Sequence, residues 1–122
     1  MRYRFHVALF AAAGVEASWN SSFEETLARL ETLPRMFAEL DGSFVWSPGD
    51  EDTARVEGVL YDRAGGMYYA EFHGECTREQ FDQLLTAFGW PAEQFLFQLV
   101  REGIFVGEDQ FRRLTCVSEC GK

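Results

Sequence analysis

The chain has no apolar run approaching 18 residues, no glycine-rich phosphate motif, no CxxC pair and no basic tract. Each absence closes a class. Without a long apolar run there is no candidate transmembrane helix. Without GxxxxGK or GxGxxG after a strand, nothing points to a phosphate or dinucleotide cradle. The net charge is −9, and the only local pairs of arginines are Arg2/Arg4 and Arg112/Arg113. That balance disfavours a nucleic-acid backbone or an anionic membrane surface as partner. Three cysteines, Cys76, Cys116 and Cys120, cannot all pair within one chain. They fit a reducing compartment, and we expect a cytoplasmic protein. No internal repeat is visible.

What is present is an aromatic core in one domain's length. The 122 residues are 47% hydrophobic and 16% aromatic, with twelve phenylalanines, which excludes the disordered class despite the charge. Residues 2–10 sort by parity. Tyr3, Phe5, Val7 and Leu9 fall on one side and Arg2, Arg4, His6 and Ala8 on the other, as in a strand with one buried face. This alternation weighs against reading the start as a secretory signal, although a run from Val7 to Val15 and small residues up to Ala17 imitate one.

Ser22 followed by Glu25 is a capping box, with Ser21/Glu24 as the alternative register, and it opens a helix presenting Phe23, Leu27, Leu30, Leu33 and Phe37. Pro34 should kink or break that helix, with residues 34–40 continuing as a turn of it and Asp41-Gly42 as the stop. Residues 43–46 read as a short strand, and SPGDED as a solvated loop. Residues 54–61 and 67–74 flank a turn whose glycines supply positive φ, a hairpin. Thr77 with Gln80 forms a second capping box, Cys76 and Phe81 a staple, and the following helix carries Phe81, Leu84, Leu85 and Phe88 on one stripe. Residues 91–102 fit helix or strand. Leu, Gln and Glu outnumber β-branched residues there, which favours helix. Residues 104–106 read as a strand and 108–114 as a last helix, with residues 115–122 expected to fray. The expected fold is therefore α+β: two layers, with a largely antiparallel sheet of about four to five strands and helices on one face.

Hairpin parity selects the candidate site. Tyr68, Ala70 and Phe72 should pack with Val56 and Leu60. Arg55, Glu57, Val59, Tyr61, Tyr69, Glu71 and His73 should point the other way, joined by Arg4 and His6 if the first strand enters the same sheet. Both histidines then share one polar and aromatic face, which is the expected binding surface for a protein partner or a second copy of the chain. A small-molecule binder or weak enzyme with a polar and aromatic pocket on the same face is the alternative. No catalytic residue is assigned, because no activated nucleophile accompanies the carboxylates and histidines. No cofactor is implied. A zinc site built from His73, Cys76, Cys116 and Cys120 lacks a CxxC half, so no metal ligand is assigned either. Trp19, Trp46 and Trp90 are expected as core anchors; an exposed one would mark a contact surface.

Overall fold

The computed structural model describes residues 2–49, 54–64 and 66–117. Among them, eight strands form one sheet in which every pairing is antiparallel, and three helices are present. The strands are β1 (Arg2–Ala11), β2 (Met36–Ala38), β3 (Ser43–Trp46), β4 (Arg55–Arg63), β5 (Gly66–Thr77), β6 (Phe95–Leu99), β7 (Ile104–Val106) and β8 (Cys116–Val117). The helices are α1 (Phe23–Glu31), α2 (Arg78–Phe88) and α3 (Glu108–Thr115). The order across the sheet is β2-β3-β4-β5-β1-β6-β7, with β8 also on β1. The α+β class stands, but the sheet has eight strands rather than four or five.

Three strands account for the difference. Residues 95–99 form β6, not a helix, because Phe95, Phe97 and Leu99 bury against the core while the backbone pairs with residues 7–11 of β1. Local composition favoured helix there, and a non-local ladder overrides it. After Pro34 the chain does not resume α1. Arg35 takes a positive φ of 66°, and Met36–Ala38 pair with β3 as an edge strand, leaving Phe37 exposed. Of the tail expected to fray, Thr115 closes α3 and Cys116–Val117 pair with Arg2 and Tyr3; residues 118–122 lie outside the described residues.

Both capping boxes form. Ser22 Oγ accepts from the Glu25 amide while the Glu25 carboxylate accepts from the Ser22 amide, and Thr77 and Gln80 do the same for α2. Ser21/Glu24 is not the register used. In the hairpin turn, Ala64 takes a positive φ of 56°. Gly66 already belongs to β5, and Gly65 lies outside the described residues, as do residues 50–53 of the acidic loop.

The helices cover one face of the sheet. Phe81 of α2 meets Tyr3 and Phe5 edge-on, Phe111 of α3 stacks on Phe97, and Phe88 packs on Phe72. Each buried phenylalanine of this type contributes about 1.5–3 kcal/mol of transfer free energy. Arg112 knits the layer: Nε donates to Glu108, Nη1 to the Tyr3 hydroxyl, and Nη2 sits 2.8 Å from Asp82. Trp19 and Trp46 are buried, and Trp90 is half-buried with its indole N–H on Glu108, so all three are anchored in the core layer.

Candidate functional site

Strand register arranges the other face as four rows running across the sheet. The first is Tyr61, Tyr69, Phe10 and Leu96. The second is Ser43, Val59, Glu71, Ala8, Gln98 and Phe105. The third is Phe37, Val45, Glu57, His73 and His6, and the fourth Arg55, Glu75 and Arg4. Because side chains alternate with period 2, all of these project away from the helices. Polarity changes steadily along the strands, from an aromatic end to a charged end.

All nine residues expected on this face are there: Arg4, His6, Arg55, Glu57, Val59, Tyr61, Tyr69, Glu71 and His73. Tyr68 is the exception to the parity argument. A register shift between Tyr61 and Asp62 pairs Asp62 with Met67, so Met67 takes the core position and Tyr68 does not. Tyr68 instead lies beside Phe10 and Tyr69, under the Arg63 guanidinium at 4.0 Å. A one-residue bulge reverses facing, and nothing in the alternation announced it.

Five apolar members of the face were not anticipated: Phe10, Phe37, Val45, Leu96 and Phe105. Phe10 carries the same even parity as Arg4 and His6, and that signal was available. The others follow only once β2, β3, β6 and β7 are known to extend the sheet.

The aromatic end is a stack. Tyr61 lies on Tyr69 with ring centroids 4.5 Å apart, Tyr69 on Phe10 at 4.9 Å, and Phe105 meets Phe10 edge-on at 6.0 Å. Burial, with Tyr61 and Glu71 adding to it, raises the Tyr69 phenol above its ordinary pKa. Since the rings use their faces on one another, the row offers edges and hydroxyls outward.

The charged end is internally paired. Arg2 and Arg4 both reach Glu75, at 3.0 and 3.4 Å, and the Arg2 bond leads in holding that carboxyl below its ordinary pKa. The Arg55 bond to Glu57, at 2.7 Å, does the same for Glu57. His6 Nε2 lies 2.9 Å from Glu71; a carboxylate only accepts, so the proton is on Nε2. The His73 ring is edge-on to His6 at 5.6 Å. Pairs this exposed are worth about 0–1 kcal/mol each; they orient side chains more than they stabilise the fold.

Two open depressions mark the face. One, of about 480 Å³, lies over β2–β5 between Phe37, Val45, Glu57, Tyr61 and His73. The other, of about 620 Å³, lies at the charged end between Arg4, His6, Arg55, Glu75 and Arg101.

As chemistry, the face holds an oriented imidazole–carboxylate pair with no nucleophile beside it. Its one hydroxyl outside the tyrosines, on Ser43, donates to Asp41. Among the described residues no group of three or more His, Cys, Asp or Glu side chains converges on a metal position. His73 and Cys76 lie on opposite faces of β5, His73 exposed and Cys76 fully buried, which separates two of the four zinc ligands considered from sequence. Cys120 lies outside the described residues. Burial pushes the Cys76 thiol up to about 12. A buried thiol at the entrance to a helix is here a packing group.

No helix among the described residues is long and apolar enough to cross a membrane. Comparison with known protein families, with curated proteins and with solved structures gives no match for this chain.

Proposed function

We propose that the chain is a protein-interaction domain and that the uncovered face of its sheet is the binding surface. One observation carries the reading: a stacked row from Tyr61 through Tyr69 to a buried Phe10, with Tyr61 and the flanking Phe105 exposed, on a face that no helix among the described residues covers. An antiparallel sheet with one solvated face ordinarily alternates cleanly between apolar and polar. Here Val45, Val59, Leu96, Phe37 and Phe105 join the stacked rings on the outward side. Aromatic surface grouped this way is typical of contact patches, where large rigid side chains exclude water around a few polar groups. Because the ring faces are occupied, the row is ill suited to stacking on nucleobases or sugars and well suited to a broad protein contact.

The test is site-specific photo-cross-linking in the native host, with a benzophenone side chain at position 61 or 105 and, as control, at position 83 on the exposed side of α2. Discrete protein adducts from the two sheet positions, abolished by Arg4→Glu, are expected. Adducts equally frequent from the α2 position, or none from the sheet, overturn the reading.

The depression between Phe37 and Tyr61 favours a second reading, a small-molecule site on the same face. Native mass spectrometry of the chain from its host separates the two. A stoichiometric low-mass adduct lost on Phe37→Ser supports the small molecule.

A further inference from the structure

We infer that the partner seated on the uncovered face is a second copy of this chain, related by a two-fold axis that lies along the rows. The inference rests on the proposed binding role of that face and adds its occupant. Charge is the first argument. The chain as a whole carries −9, yet the four rows hold Arg4 and Arg55 against Glu57, Glu71 and Glu75, one excess negative charge. The acidic excess lies elsewhere, on exposed positions such as Glu24, Glu31, Glu79 and Asp109 of the helical layer. Like-charge repulsion between two copies is therefore small across this face.

Complementarity is the second argument. The face is polar at one end of its strands and aromatic at the other, so turning a second copy about an axis along the rows opposes unlike ends. Arg55 and Arg4 of one copy then lie at the Tyr61 and Phe10 end of the other, where Arg55 can donate to the outward Tyr61 hydroxyl, and Glu71 lies over His73. The alternative axis, along the strands, sets arginine on arginine. Such self-complementarity is what an isologous contact requires: the same patch used twice.

Size sets the strength. The eighteen positions of the four rows, on strands about 4.8 Å apart and in rows about 6.8 Å apart, cover roughly 600 Å² in projection. Stable complexes bury about 800 Å² per partner, so pairing at the weak end, with a Kd on the order of micromolar, is expected.

The experiment is sedimentation equilibrium of the full chain from about 1 to 500 µM, a range that brackets such a Kd, with Tyr61→Arg, Arg55→Glu and the control Gln83→Glu. All three positions are on exposed residues, and circular dichroism checks that each variant is folded. The wild type and the control should pass from one to two chain masses. Each face variant alone should weaken pairing by about tenfold or more, as expected for a contact near the centre of a small interface. Mixed together, Tyr61→Arg and Arg55→Glu should pair again, because the opposed ends are then oppositely charged. A monomer at every concentration overturns the inference, as does a dimer indifferent to both variants or variants that fail to rescue each other. If the wild type is monomeric while position 61 still cross-links to a different protein, the second copy is excluded and the interaction reading survives. If neither is seen, both fall.

Discussion

Gly74 lies on β5 between two residues of the candidate face, His73 and Glu75, and its replacement by alanine should be among the most damaging single changes in the chain. It pairs with Phe5 on β1 and Val56 on β4, so it cannot move toward either neighbour. Its φ is +150°, and a Cβ added there would stand 2.0 Å from the Arg55 carbonyl oxygen and 2.8 Å from the Val56 Cα. Carbon and carbonyl oxygen approach no closer than about 3.3 Å even in favourable contacts, so β5 must retreat from β4 by more than about 1 Å. Two ladder hydrogen bonds at about 1 kcal/mol each would be lost, with about 1–2 kcal/mol of backbone strain added. The expected cost is about 4 kcal/mol, a fall in thermal midpoint of roughly 12–20 °C for a domain of this length. Gly14→Ala is the control. Its φ is +128° but nothing lies within 4 Å of the added methyl, so it should show only the strain, about 1–2 kcal/mol. Urea unfolding followed by fluorescence measures both. A Gly74→Ala cost equal to that of Gly14→Ala would refute the collision argument.

Thr77→Ala should cost about 1 kcal/mol in the same assay, since the Gln80 amide loses its acceptor. Glu93 is buried, with Oε2 accepting from the Asn20 amide and Oε1 unpartnered, and burial foremost raises its pKa. A raised folded pKa favours the protonated form, so stability is full below the unfolded value and declines as pH rises through the folded one. Glu93→Gln removes the buried charge and should raise the thermal midpoint at pH 7–8, with the advantage shrinking toward pH 4. Cys76 should resist alkylation at pH 8 in the native state and react in denaturant, with its thiol held at about 12 in the fold.

The sequence made the face legible because parity within a strand is local. Arg4 and His6 on β1, and Glu71 and His73 on β5, share a face for the same stereochemical reason whatever the neighbours. The capping residues Ser22 and Thr77 were legible for the same reason, as each acts within four residues. What could not be read was pairing. Residues 95–99 alternate as a strand and are rich in Leu and Gln as a helix, and the decision is made by residues 7–11 of β1, some ninety positions away. The extent of the face followed the same limit: Leu96, Phe105, Phe37 and Val45 join it only through strands whose place in the sheet is a tertiary fact. Tyr68 was misplaced because a bulge inserts one residue without altering composition. The binding partner is one step further still, since complementarity is a property of assembled rows.

The central claim, that contact is made through the uncovered sheet face and not the helical layer, is tested most directly by amide chemical shifts recorded over a concentration series of the isotope-labelled chain. The claim predicts concentration-dependent shifts confined to the strands that carry the rows, β1 to β7, largest around Tyr69, Glu71 and His73. The amides of α1, α2 and α3 should stay fixed. Shifts concentrated on the helices, or none anywhere while cross-linking at positions 61 and 105 also fails, would contradict it.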